Sequence, residues 1–107
     1  MNENKIQRMQ FLEQNLQAIN MQKQAYQMEL DETFSSIEEI NNSKEDVYKV
    51  IGQIMIKTKK EKILEELNTK IQLLRSKISS LEKQQEKFDS ELKNIRNEMI
   101  SSIGKEK

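Results

Sequence analysis

From Met9, steps of three and four residues taken in turn land on Leu12, Leu16, Ile19, Lys23, Tyr26, Leu30, Thr33, Ile37 and Ile40. The same walk from Leu64 lands on Leu67, Ile71, Leu74, Ile78, Leu81, Gln85, Phe88, Leu92, Ile95, Met99 and Ser102. Apart from Lys23, Thr33, Gln85 and Ser102, every position is apolar, although hydrophobic residues make up only 35% of the chain. An apolar repeat of 3.5 residues lets two helices keep one seam pressed together over many turns. The pattern predicts two coiled-coil helices, each reaching roughly 50–60 Å at about 1.5 Å per residue.

The rest of the composition fits that reading and little else. At 107 residues the chain is one domain at most, taken here as 1–107. Charged residues make up 34%, so a globular core of ordinary size has no material to form from. Lys+Arg and Asp+Glu balance at 18 each, and the periodicity is strong, which separates this chain from a disordered, highly charged one. There is no Cys, hence no disulfide framework and no thiolate chemistry. The start, "MNENKIQRMQ", lacks the apolar stretch of a signal peptide, and the apolar run Ile54-Met55-Ile56 is far too short to span a bilayer. A cytoplasmic protein without membrane contact is expected.

Between the two heptad series the pattern changes. "NNSKED", residues 41–46, offers Asn, Ser and Asp side chains that favour local turns over continued helix. Two β-prone runs follow, "VYKVI" and "IMIKT", split by Gly52-Gln53, and glycine first in a two-residue loop suits a type II′ turn. Thr58 and Glu61 then stand at capping-box spacing. The expected order is a helix over about 3–42, a β-hairpin over about 47–57 and a helix over about 59–103. The joining segment is too short for a parallel return, so the fold class is mainly α, an antiparallel coiled-coil hairpin with one β-hairpin at the bend. Lys23 and Gln85 then come within about one turn of each other. They form a shared polar layer, or Lys23 extends along the seam toward Glu82 or Glu86.

An isolated two-stranded ribbon is marginal in water and has two unpaired edges. Its apolar residues fall on both faces, with Tyr48, Val50 and Met55 on one and Val47, Ile51, Ile54 and Ile56 on the other. A thin coiled coil cannot cover both. The ribbon calls for other ribbons, which predicts an oligomer joined through these seven residues.

"DVYKVIGQIMIKTKKEKILEEL", residues 46–67, resembles the central segment of prefoldin beta subunits, especially the archaeal ones, and "LEKQQEKF", residues 81–88, adds to the likeness. The resemblance implies a hexamer of two alpha-type and four beta-type subunits built on a barrel of hairpins, with coiled-coil arms. It also implies capture of unfolded client proteins at arm tips that contain both chain termini, without ATP, and transfer to a group II chaperonin.

If clients bind near the chain ends, apolar side chains there should exceed what the seam needs. Ile6, Met9, Phe11, Met99, Ile100 and Ile103 are the candidates. Phe11 and Ile100 lie off the heptad positions. Met9 and Met99 also serve as seam residues, and Ile6 and Ile103 would do so with a slip of one residue. Met21 and Met28 are off the seam farther along the first helix; methionine is soft and suits promiscuous contacts. The basic run Lys57, Lys59, Lys60 and Lys62 stands where a helix begins, which disfavours cations. Balanced net charge and the lack of an aromatic platform make it a solvated face or a set of ion pairs, not a nucleic-acid site. With no His, no Cys and no phosphate-cradling glycine loop, no catalytic, cofactor or metal site is expected and the chain reads as no enzyme. The competing function is a coiled-coil scaffold or tether for one defined partner, which would have no need of exposed strands.

Overall fold

The computed structural model describes residues 2–105, and the side chains of residues 3–103. The elements are α1 (Asn2–Asn42), β1 (Val47–Ile51), β2 (Ile54–Thr58) and α2 (Lys60–Lys105). The chain is thus two long helices, of 41 and 46 residues, joined through one short antiparallel β-hairpin, the expected fold class. It divides into two compact units, Met1–Gln24 with Ser79–Lys107, and Ala25–Ile78.

In the first unit α1 and α2 run antiparallel, with Lys5 beside Glu98 and Lys23 beside Gln85. Leu12, Ile19 and Leu92 are buried there. Lys23 and Gln85 meet as expected: the Lys23 ammonium donates to Gln85 Oε1 at 3.1 Å, and Gln85 Nε2 donates to Asn20 Oδ1 at 3.0 Å. The ammonium therefore goes to Gln85 itself rather than to Glu82 or Glu86. A polar group in a seam is tolerable only when it is hydrogen-bonded, and this one is.

In the second unit Leu30, Ile71 and Leu74 form a buried cluster with Tyr26, Ile37 and Ile78 packed around it. Thr33 is buried in the same seam, and its hydroxyl donates to the Glu29 carbonyl at 2.7 Å, so no polar group is left unpaired. Throughout both helices every heptad position from Met9 to Ile40 and from Leu64 to Ser102 is buried or half-buried.

The end of α1 is built from the turn residues. Ser43 N–H bonds the Ile40 carbonyl at 3.3 Å, and the Ser43 hydroxyl accepts from Glu45 N–H at 3.2 Å. The last turn of α1 carries no cation of its own; Lys60 supplies one from α2, donating to the Ser43 carbonyl at 2.8 Å. That accounts for one member of the basic run. Lys57 is another, paired with Asp46 at 3.3 Å.

The expected capping box does not form. Thr58 stays in β2, where its hydroxyl turns back to the Ile56 carbonyl at 3.3 Å, and the first helical bond runs from Ile63 N–H to the Lys59 carbonyl. The helix therefore begins one residue later than a Thr58 cap requires, because pairing of Val47 with Thr58 holds that residue extended.

Ile51 pairs with Ile54 across Gly52-Gln53. Gly52 has φ +60° and no other described residue has positive φ, which makes the turn type II′. A Cβ on Gly52 would meet nothing within 4 Å, so only backbone strain opposes a side chain there. Gly52→Val should cost the hairpin about 1–2 kcal/mol. Amide exchange in Val47–Thr58 should accelerate accordingly, with Gly52→Asn intermediate between the two.

Candidate interaction surfaces

Two sets of side chains have too much apolar surface for a settled exterior. The first is the hairpin. Cross-strand partners share a face, so Tyr48, Val50, Met55 and Lys57 lie on one side. Val47, Lys49, Ile51, Ile54, Ile56 and Thr58 lie on the other. Of the seven apolar residues only Val47 is half-buried; Tyr48, Val50, Ile51, Ile54, Met55 and Ile56 are exposed, Met55 at 67%. Both faces are open, and the side-chain bond that joins the ribbon to α2 is an ion pair. Lys49 Nζ lies 2.9 Å from Glu66 Oε2, an ion pair that draws Lys49 down against α2 and leaves its apolar neighbours outward.

The second set lies in the first unit. Ile6, Phe11, Ile100 and Ile103 are exposed, whereas Met9 and Met99 are half-buried in the seam. The one-residue slip that would bring Ile6 and Ile103 into the seam does not occur. Lys5 and Ser102 are half-buried instead, so the seam ends in polar residues and both isoleucines face outward. Their placement has a further logic. Glu13 on α1 pairs with Arg96 on α2 at 3.2 Å along one flank of the seam. One heptad further along that flank, α1 presents Ile6 and α2 presents Ile103. An isoleucine pair thus occupies the flank position that holds an ion pair in the preceding heptad.

Phe11 is held in a defined way. The Arg8 guanidinium lies 4.9 Å from the centre of its ring, a cation–π contact. Arg8 is fixed in turn by two hydrogen bonds to Glu91, Nε to Oε1 at 2.7 Å and Nη2 to Oε2 at 3.0 Å. Those bonds hold the Glu91 carboxyl below the usual carboxylate range and the Arg8 guanidinium above its usual value. Lys49, by the same kind of bond, lowers Glu66.

Sequence reasoning did not single out Phe34 or Leu73, both exposed in the second unit. Heptad arithmetic finds them, since neither falls on the seam. Phe34 is covered in part by Arg75, 5.5 Å from its ring centre. Among the described residues no helix is long and apolar enough to cross a membrane, and no cluster of potential metal ligands is present.

The sequence model for the family described as "Prefoldin subunit" matches residues 3–106. The chain belongs to the prefoldin family. It is 36% identical over 93 residues to the prefoldin subunit beta of Thermococcus onnurineus, covering 85% of this chain and 80% of that one. The Thermococcus kodakarensis prefoldin subunit beta matches with the same identity and coverage. In three dimensions the chain is similar to the crystal structure of the prefoldin beta subunit from Thermococcus strain KS-1, at a TM-score of 0.87 and 32% identity over 94% of this chain and 90% of that one.

The two bidentate or short carboxylate pairs give a pH prediction with a definite sign. Glu91 and Glu66 have lowered folded-state pKa values, so each favours the folded state at pH above its unfolded value, about 4.3, and loses that contribution as acid protonates it. Thermal midpoints should fall between roughly pH 5 and pH 3. Glu91→Gln and Glu66→Gln should each flatten that fall; slopes identical to the parent would show the pairs to be inert.

Proposed function

We propose that this prefoldin-family chain is a subunit of an ATP-independent chaperone that works in the cytoplasm. It binds unfolded proteins through apolar patches near the two chain ends and passes them to a group II chaperonin. The observation that carries this reading is the outward placement of Ile6, Phe11, Ile100 and Ile103 on helices whose seam is already filled. Burying them would contribute about 1.5–3 kcal/mol per large side chain, and the fold leaves that contribution to be made by something else. An unfolded chain offers scattered apolar groups with no fixed geometry. Several small patches on separate subunits suit it, because weak contacts made together add by avidity.

The hairpin supports the assembly half of the proposal. Six apolar residues exposed on two five-residue strands demand partners, and other prefoldin hairpins, alpha-type and beta-type in a two-to-four hexamer, are the partners of matching shape. A tether for one defined partner leaves the ribbon without a purpose.

Two outcomes are expected. Ile54→Lys with Ile56→Lys should dissociate the complex formed with a cognate alpha-type subunit, because neighbouring ribbons would bury unpaired ammonium groups. Helix content should hold, and an unchanged mass by light scattering would sink the assembly proposal. Changing Ile6, Phe11, Ile100 and Ile103 together to Ser should leave the complex mass intact while suppression of client aggregation is lost, with or without ATP. Full protection by that variant, or a requirement for ATP in the parent, would overturn the client-binding proposal.

A further inference from the structure

α1 carries a second stripe, unrelated to the seam. Phe11, Gln14, Ala18 and Met21 follow each other at helical spacing on one face, and all four are exposed, Met21 at 67%. Gln10, Gln17 and Gln24 border it on one side, and Asn15 and Gln22 on the other. The stripe itself carries no charge, and the ion in contact with it is Arg8 at the Phe11 end, already paired with Glu91. Between Glu13 and Glu29 the sole charged residue of α1 is Lys23, which is committed to Gln85 in the seam. The α2 segment of the same unit contrasts sharply, carrying Glu82, Lys83, Glu86, Lys87, Asp89 and Lys93.

A solvated helix face has no reason to discard charge selectively. Lys and Glu are good helix formers and keep such faces soluble, as they do on α2. Loss of charge with retention of Met and an aromatic is the composition of an interface centre. The stripe also has a rigid end. Arg8, held by its two bonds to Glu91, lies over the ring of Phe11 at that end.

We infer that this face of α1 is a docking strip for an extended, uncharged segment of unfolded polypeptide. The inference rests on the client-binding reading above and gives it a place and a selectivity. Size decides the occupant. From Phe11 to Met21 the strip is about 15 Å long, enough for four or five residues of extended chain at about 3.3 Å each. A stable folded partner needs about 800 Å² from each side, far beyond what Phe11, Ala18 and Met21 offer. The bordering amides complete the match. Each Gln side chain both donates and accepts, so it can pair with backbone N–H or C=O of any extended segment, whatever its sequence. Phe11 and Met21 then take apolar side chains, and an acidic client side chain laid on the strip would lose water without gaining a partner, because Arg8, the cation at its end, is already committed to Glu91.

The test uses the assembled complex and two labelled, unstructured peptides, one of Gly, Ser, Gln and Leu and one with Asp replacing some of its Ser residues. The chain has no Cys, so Ala18→Cys can carry a photoreactive benzophenone, with Ser80→Cys on the exposed face of α2 as its control. The uncharged peptide should crosslink at position 18 well above position 80, and the Asp peptide should not. Ala18→Glu with Met21→Glu should weaken binding of the uncharged peptide about tenfold. Equal crosslinking at the two positions, or unchanged binding by the double variant, overturns the strip. Client protection separates the two proposals. If the double Glu variant protects fully while the Ile6, Phe11, Ile100 and Ile103 variant fails, the strip falls and the client-binding reading stands. If both protect fully, both fall.

Discussion

A coiled-coil seam buries two residues in seven, and this chain has almost no other apolar interior. Leu12, Ile19 and Leu92 in one unit, and Leu30, Ile71 and Leu74 in the other, are the buried hydrophobic side chains. Each contributes about 1.5–3 kcal/mol when removed from water, and conformational entropy consumes most of such a sum. The remaining seam residues are half-buried, and a large apolar residue off the seam is left mostly to the surface. Fourteen in the described chain are more than a third exposed, and they are not scattered evenly: six belong to the two five-residue strands of the hairpin. A globular protein hides such residues by thickening its core. Two helices sharing one seam cannot, so the position of each exposed apolar group carries information about what touches it.

The same narrowness explains the attention given to polar groups at the seam. Lys23 donates to Gln85 and Gln85 to Asn20 in a short chain of hydrogen bonds, and Thr33 satisfies itself on the preceding turn. No buried side-chain nitrogen or oxygen in the described residues lacks a partner. Two apolar residues in place of Lys23 and Gln85 would strengthen the seam but remove the one layer whose pairing fails when the helices slide. The flank ion pairs are weaker register marks, since exposed pairs contribute little and are screened by salt.

Most of this was legible in the sequence because a heptad repeat turns position into environment directly. The walk from Met9 and the walk from Leu64 meet buried or half-buried residues at every step, and Gly52-Gln53 yields the turn that its glycine suggests. Three features were not legible. Thr58 and Glu61 have the spacing of a cap, but strand pairing with Val47 outweighs one local hydrogen bond. Ile6 and Ile103 stay outside because the seam closes on Lys5 and Ser102, a choice that depends on how the last heptads pack and not on hydrophobicity alone. The stacking of Arg8 on Phe11 depends on a rotamer fixed by Glu91, eighty-three residues away in sequence.

The flank near the chain ends shows how little change separates an ion-paired position from an exposed apolar one. Glu13 with Arg96 is an ion pair that helps hold α1 beside α2; one heptad away the same flank carries Ile6 and Ile103, which offer apolar surface to solvent. Replacing charge by isoleucine there gives up little stability, because an exposed pair contributes less than about 1 kcal/mol. It gains exposed apolar surface, which on the client-binding proposal would hold a partner without demanding a shape. The hairpin follows the opposite rule. Its backbone register is fixed by five residue pairs and a glycine turn, so its apolar side chains are presented in a fixed array. A fixed array suits a partner of fixed structure, whereas separate side chains on helix flanks suit a partner without one.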